Sequence, residues 1–147
     1  MAKVLIAEDD LMIADMTEAI LVAQGYEVCG IARTVADAVA LGRDHKPDLA
    51  VIDLRLADGG LGTAIASQLG ARGRLGILYA TGNISHVTLT AANGDACITK
   101  PYRPADLLRS LEIVADIVAT GTASPPFPGG FKVLHPASTA RQESSHG

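Results

Sequence analysis

The stretch KVLIAEDD, residues 3–10, joins an apolar run directly to three consecutive acids. The apolar residues 4–7 have the character of a short buried strand. Three like charges at the end of such a strand repel one another and oppose folding. The placement of Glu8, Asp9 and Asp10 therefore needs a reason, and the strand that carries them is the starting point for the fold.

The composition restricts the class of protein. The chain has 147 residues, 48% of them hydrophobic, and a formal net charge of −4, which favours one globular domain with a core. It has no run of lysine or arginine, so nucleic-acid binding is not expected. It has no apolar stretch of about 18 residues, so neither a membrane span nor a signal peptide is expected and a cytoplasmic location is predicted. The two cysteines, Cys29 and Cys97, are interpreted as reduced buried thiols.

Short apolar runs alternate with longer segments of helical period, a pattern typical of βα units around a parallel sheet. Helix starts are indicated at Asp10, Thr34 and Pro104, and a helix stop at Gly25. Five units are predicted, with strands over residues 3–7, 27–32, 49–52, 77–80 and 96–99 and helices over residues 11–24, 35–45, 61–71, 85–92 and 104–120.

Composition changes after residue 120. Residues 1–120 are predicted to form the domain, and residues 121–147 a tail rich in proline, glycine and serine, with no effector domain after it. The simplest interpretation of the tail is a flexible extension. However, both phenylalanines of the protein, Phe127 and Phe131, lie there beside Val133 and Leu134. An alternative hypothesis is that residues 127–134 dock on the domain or on a partner.

Polar side chains follow several of the predicted strands. The carboxyl ends of parallel strands share one edge of a sheet, where ligands bind. If the strand order is 2-1-3-4-5, the first and third strands are neighbours, so Glu8, Asp9 and Asp53 lie close together. Thr81 and Lys100 follow the fourth and fifth strands at the same edge. Clustered carboxylates favour a divalent cation such as Mg²⁺, which prefers oxygen ligands.

A carboxylate beside such a cation suggests aspartyl phosphate chemistry. In this hypothesis Asp53 is the nucleophile, while the metal neutralises the incoming oxygens. Lys100 supplies a positive charge for the phosphoryl group, and Thr81 a hydroxyl hydrogen bond to it. Asp9 is expected to bind the metal directly and Glu8 through water.

Four motifs, KVLIAEDD, DLAVIDL, ILYATGN and CITKPY, together resemble the receiver domain of two-component response regulators over residues 3 to about 119. The resemblance implies a flavodoxin-like, doubly wound (βα)5 fold, an α/β protein with a five-stranded parallel sheet of order 2-1-3-4-5. It also implies phosphorylation by a histidine kinase and a cis peptide before Pro101. By matching position, the metal residues are Glu8, Asp9, Asp53 and Arg55 (through its backbone carbonyl), and the phosphoryl-transfer residues are Asp53, Thr81 and Lys100.

Two features depart from the best-known receivers. Cys97 stands where those proteins have an aromatic residue whose rotation reports the movement of the threonine. The run from Tyr79 to Gly82 is similar to the Phe-Ala-Thr-Gly signature of a subgroup of single-domain receivers, which also lack that aromatic.

The sequence therefore predicts a stand-alone receiver, a phosphoacceptor rather than an enzyme, that requires Mg²⁺. Its expected partners are a sensor histidine kinase or phosphotransferase and a downstream protein that binds the fourth helix, fifth strand and fifth helix. Membrane binding is not expected, and a homodimer is an open alternative.

The main alternative function is a phosphorylation-independent binding module. A flavin carrier is disfavoured because Glu8 and Asp9 would face an anionic ligand. A dehalogenase-like phosphatase is disfavoured because it needs an acid where Arg55 stands.

Overall fold

The computed structural model describes residues 2–69, 75–82 and 89–134. Its elements in chain order are β1 (Lys3–Ala7), α1 (Leu11–Gln24), β2 (Glu27–Ala32), α2 (Val35–His45), β3 (Leu49–Asp53), α3 (Gly62–Leu69), β4 (Gly76–Thr81), β5 (Ala96–Thr99), α4 (Pro104–Thr120) and β6 (Phe131–Val133). The sheet has the order β2-β1-β3-β4-β5-β6. The predicted α/β fold and the order of its first five strands are confirmed, and the sheet formed by the described residues has one strand more than predicted.

Helix ends follow the local chemistry of the sequence. The Asp10 carboxylate accepts hydrogen bonds from two backbone N–H groups in the first turn of α1, and the Thr34 hydroxyl accepts one at the start of α2. Gly25 ends α1 in the left-handed conformation, with φ of 104°. Pro104 lies in the first turn of α4, where no backbone N–H is needed.

The sheet is covered on both faces, as expected for parallel strands. Helices α2 and α3 cover one face through residues such as Val39 and Ile65. Helices α1 and α4 cover the other through residues such as Leu21, Leu107 and Leu111. Because side chains fill both faces, the ligand-accessible part of the sheet is its edge. Within the described ranges, no helix combines the length and apolar character needed to cross a membrane.

The predicted helix over residues 85–92 is not observed where the structure describes the chain. Residues 85–88 lie outside the described residues, residues 89–90 have no regular structure, and residues 91–93 form a turn. The Asn93 side chain accepts a hydrogen bond from the Thr90 N–H at 2.9 Å, and the Asn93 N–H donates to the Thr90 carbonyl at 2.9 Å. Such local bonds compete with helix formation. The helix predicted as fifth is therefore α4, and α3 ends at Leu69, with residues 70–71 outside the described ranges.

Part of the tail adds a strand to the sheet. Strand β6 pairs antiparallel with β5, with Cys97 opposite Lys132. Phe131 and Val133 pack beside Ile113 and Ile117 of α4. Residues 135–147 lie outside the described residues. The chain after α4 thus covers the edge of β5 that a five-stranded sheet would expose.

Candidate functional site

The sheet register brings the predicted site residues to one edge. Ala7 of β1 lies beside Ile52 of β3, so the next residues along these neighbouring parallel strands, Glu8 and Asp53, are also adjacent. Thr81 ends β4 and lies beside Thr99 of β5. Lys100, the residue after Thr99, therefore reaches the same edge. The convergence expected from the strand order is present in the structure.

The acids form a compact cluster. Glu8, Asp9 and Asp53 each offer one carboxylate oxygen, and these oxygens lie within 4.8 Å of one another. Glu8 and Asp53 are buried, with 4% and 8% of their surface exposed, whereas Asp9 is half-buried. Asp10 is exposed and serves as the cap of α1. Two of the three carboxylates are therefore shielded from solvent, unlike acids in a solvated loop.

Lys100 is the cation of the site. Its Nζ lies 3.1 Å from Glu8 Oε1 and 3.5 Å from Asp53 Oδ2. Burial alone would lower the pKa of Lys100, but the two carboxylates more than offset this effect, so the pKa is raised and the side chain stays charged. One ammonium cannot neutralise three carboxylates.

The pKa of Glu8 is strongly raised. The pKa of Glu8 is raised from 4.5 to about 7, mainly by burial and also by the charge of Asp53, against the opposing effects of the Asp10 backbone N–H and of Lys100. Because burial disfavours the charged form of Glu8, a cation bound at this site would favour the carboxylate.

These residues fit a hard divalent cation. The candidate donors are all oxygen atoms, which Mg²⁺ prefers. The Arg55 backbone lies beside them, because its N–H donates to Asp53 Oδ1 at 3.4 Å. The Arg55 side chain is exposed. Glu8, Asp9, Asp53 and the Arg55 carbonyl are the residues that would hold Mg²⁺.

The pH dependence of stability tests this electrostatic picture. Because folding raises the pKa of Glu8, the folded protein binds the extra proton between pH 4.5 and about 7, and stability falls as pH rises through that window. At about 1.4 kcal/mol per pKa unit, the free energy of unfolding in metal-free buffer should fall by up to about 3 kcal/mol from pH 4.5 to pH 8. Urea unfolding across this range measures the fall.

The matched control is Glu8→Gln, which keeps the shape and removes the charge. Its stability should lose most of the pH dependence in this window. Mg²⁺ at pH 8 should restore much of the stability of the unmodified protein. An equally steep fall in Glu8→Gln would show that another group is responsible.

Thr81 and Lys100 share a backbone hydrogen bond. The Lys100 N–H donates to the Thr81 carbonyl at 2.8 Å, and Thr81 is 5% exposed. The peptide between Lys100 and Pro101 is cis, as the resemblance implied. This hydrogen bond links Thr81 to Lys100, the residue that follows Thr99 at the end of β5.

One contact beside the site was not predicted from the sequence. The Tyr102 hydroxyl lies 2.7 Å from Thr17 Oγ1, and both residues are buried, so this hydrogen bond attaches the Lys100 loop to α1. Thr17 falls on the buried stripe of α1 with Ala14 and Leu21. A polar residue at a core position was the available signal, since a buried hydroxyl needs a partner.

A recess of about 250 Å³ opens next to the lysine, lined by Ile13, Met16, Lys100, Pro101 and Tyr102. The exposed apolar side chains of α1 include Leu11, Met12 and Met16, and Met12 is 81% exposed. Large exposed apolar residues grouped at one place are typical of interaction surfaces. This surface borders the acidic site.

Comparison with known proteins supports the same conclusion. The family model described as "Response regulator receiver domain" matches residues 4–112. The phyllosphere-induced regulator PhyR of Methylorubrum extorquens is 32% identical over 71% of this chain and 40% of its own length. The chemotaxis protein CheY of Bacillus subtilis is 30% identical over 74% of this chain and 93% of its own.

A solved structure agrees with these sequence relatives. The CheY-like response regulator receiver domain protein from Methanospirillum hungatei is 30% identical, with a TM-score of 0.72, over 82% of this chain and 98% of its own. This chain spans less than half of PhyR. From its matching motifs, sheet order and acidic edge, this chain belongs to the response regulator receiver domain family.

Proposed function

We propose that this receiver accepts a phosphoryl group on Asp53 from the phosphohistidine of a histidine kinase or phosphotransferase, and then signals through protein contacts. The observation that carries the proposal is the position of Asp53. Its buried carboxylate lies at the end of a central strand, within 4.8 Å of the other two acids and 3.5 Å from the Lys100 ammonium. A nucleophile, a cation and a metal-fitting cluster thus share one edge.

The chemistry follows from these groups. An Asp53 oxygen forms a bond to phosphorus as the bond from phosphorus to the imidazole nitrogen breaks, and the imidazole leaves and takes up a proton. Lys100 stabilises the negative charge on the transferred oxygens. When bound, Mg²⁺ would neutralise the same oxygens. Asp53 serves as a phosphoacceptor, and sustained turnover of phosphate esters would contradict this role.

The exposed face of α1 is where we propose the phosphodonor docks. Leu11, Met12 and Met16 border the site, and methionine adapts its shape to different partners. The adjoining recess admits an apolar side chain next to Lys100.

Both cysteines are free thiols in the structure, which favours a cytoplasmic location.

The test is the intact mass of the full chain after incubation with acetyl phosphate, with and without Mg²⁺. The expected result is a gain of one phosphoryl group that requires Mg²⁺ and maps to the peptide containing Asp53. No gain under any condition would favour the second candidate, a phosphorylation-independent binding module. The observation behind that candidate is the buried cysteine, Cys97, at the position of the usual aromatic.

Thr81→Ala should separate phosphorylation from signalling. The variant should still gain a phosphoryl group, because Asp53, Lys100 and the acids remain. It should lose the phosphorylation-dependent change in amide hydrogen exchange of β5, because the hydroxyl that would bind the phosphoryl group is absent. Mass spectrometry gives both readouts.

The control for this change is Thr81→Ser, which keeps the hydroxyl and should respond as the unmodified protein does. If Thr81→Ala shows the full exchange response, the hydroxyl does not couple the site to β5.

A further inference from the structure

The chain after α4 occupies the outer edge of the sheet. We call residues 123–134 the strap. Its backbone pairs with β5 at both ends of that strand: the Thr99 N–H donates to the Gly130 carbonyl at 3.1 Å, and the Leu134 N–H donates to the Asp95 carbonyl at 3.0 Å. The whole edge of β5 is therefore covered by main-chain pairing.

Side chains of the strap alternate between two faces. Phe131 and Val133 pack towards Ile113 and Ile117 of α4. Leu134 is 6% exposed and belongs to the core on the opposite face, which also contains Cys97. The groove thus holds an extended segment with apolar residues pointing both ways.

The Arg109 side chain of α4 donates hydrogen bonds to the backbone of the strap. Its Nε donates to the Pro126 carbonyl at 3.0 Å and its Nη2 to the Ser124 carbonyl at 2.8 Å, while Nη1 pairs with Glu112 at 3.1 Å. Since backbone carbonyls are common to every peptide, these contacts do not depend on the side chains of the bound segment. Apolar pockets and main-chain bonds together are how a peptide-binding groove works.

The groove adjoins the proposed phosphorylation site through Thr99, which directly precedes Lys100 in the sequence. The Gly130 carbonyl accepts from the Thr99 N–H and, at 3.4 Å, from the Thr99 hydroxyl. The next residue, Lys100, contacts Asp53 through its side chain and the Thr81 carbonyl through its N–H. A phosphoryl group on Asp53 that draws Lys100 and Thr81 towards itself will displace Thr99 and weaken the first pair between β5 and the strap.

We propose that the outer edge of β5 and the adjoining face of α4 form a binding groove for an extended apolar segment of a partner protein, which the strap fills in the unphosphorylated protein. Phosphorylation releases the strap, and the partner segment pairs antiparallel with β5 in its place. This inference rests on the proposed phosphorylation of Asp53. An uncovered strand edge is a template for pairing, so release of the strap alone creates the site.

The strap has the properties of a displaceable ligand. Its regular pairing is short, because β6 spans only Phe131–Val133. Its tether to α4 is also short, so the local concentration of the strap is high and keeps competing segments out. A small loss of pairing at Thr99 therefore shifts the balance towards a partner.

A covalent lock tests the proposal on the full chain. Cys97 lies opposite Lys132, and paired residues of this kind have Cα atoms about 5.5 Å apart, within the range that a disulfide spans. Lys132→Cys in a Cys29→Ser background should therefore form a disulfide that holds the strap in place. The probe is a fluorescent peptide with the sequence of residues 124–134, and its control carries lysine in place of Phe131 and Val133.

The expected result has three parts. After treatment with acetyl phosphate and Mg²⁺, the unmodified protein should bind the probe at least tenfold more tightly than before treatment. The oxidised lock should gain the phosphoryl group but bind no probe, and reduction should restore binding. Amides of residues 131–134 should exchange faster after phosphorylation in the unmodified protein and stay protected in the lock.

Failure of this inference is distinguishable from failure of the proposed function. A phosphoryl group gained on Asp53 with unchanged probe affinity and unchanged exchange of residues 131–134 would overturn the inference alone. If no phosphoryl group is gained, Val133→Lys in the strap still tests the groove, because it weakens the strap and leaves Arg109, β5 and α4 unchanged, so the probe should bind without phosphorylation; no binding would overturn the inference. A phosphorylated dimer that excludes the probe would assign the groove to a second copy of this chain instead.

Discussion

Asp53→Asn should abolish the Mg²⁺-dependent gain of a phosphoryl group while the protein remains folded. Asparagine matches aspartate in size, but its amide is not a nucleophile for phosphorus. The change also removes one of three carboxylates that lie within 4.8 Å of one another, and Asp53 is one of the groups that raise the pKa of Glu8. Since Lys100 keeps its contact with Glu8 at 3.1 Å, the free energy of unfolding at pH 8 should be no lower than that of the unmodified protein.

Intact mass after acetyl phosphate treatment and urea unfolding at pH 8 measure the two effects separately. A matched control is Asp58→Asn, the same change at an exposed acid in the loop after β3. This variant should be phosphorylated normally. Full labelling of Asp53→Asn would assign the phosphoryl group to another residue, whereas loss of labelling through unfolding would appear in the urea curve.

The position of the candidate site could be predicted from the sequence because it depends on topology. Each of Glu8, Asp53, Thr81 and Lys100 ends or follows a strand, and parallel strands bring such residues to one edge whatever their side-chain conformations. The distances could not be predicted in this way. That the Lys100 Nζ lies closer to Glu8 than to Asp53 depends on side-chain rotamers and on burial, which a strand pattern does not determine.

The sixth strand shows where a sequence pattern is insufficient. Three residues give too short a pattern to separate a strand from an irregular tail, and the stretch before them contains prolines and glycines. What orders the strap is long-range: the exposed edge of β5, the apolar face of α4 and the backbone contacts of Arg109. The alternation of Phe131 and Val133 with Lys132 was the one local signal.

The turn at residues 91–93 shows where local propensity is misleading. The alanines there favour a helix by propensity, but the Asn93 side chain and backbone bond to Thr90 instead. Local hydrogen bonds of single side chains compete with propensity, which is a weak guide over four residues.

Gly62→Ala should be the most destabilising single-methyl change among the described glycines. A Cβ at residue 62 would lie 2.3 Å from the Asp53 backbone carbonyl oxygen and 2.6 Å from Ile52 Cγ2. This carbonyl belongs to Asp53 itself, at the end of β3, so it cannot move without displacing the Asp53 side chain. We expect a loss of about 3 kcal/mol in the free energy of unfolding, although alanine is the better helix former.

Two other glycines provide controls. At Gly42 the obstacle is Leu69 Cδ1 at 2.4 Å, the far end of a side chain that can rotate away, so Gly42→Ala should be less destabilising than Gly62→Ala. A Cβ at Gly129 meets nothing within 4 Å, and Gly129→Ala should change stability by less than about 0.5 kcal/mol. Urea unfolding ranks the three variants. If Gly62→Ala proves as stable as Gly129→Ala, the start of α3 is free to move away from Asp53. If Gly62→Ala is destabilised as expected, the close approach of α3 to β3 is what fixes the position of Asp53 beside Glu8 and Asp9.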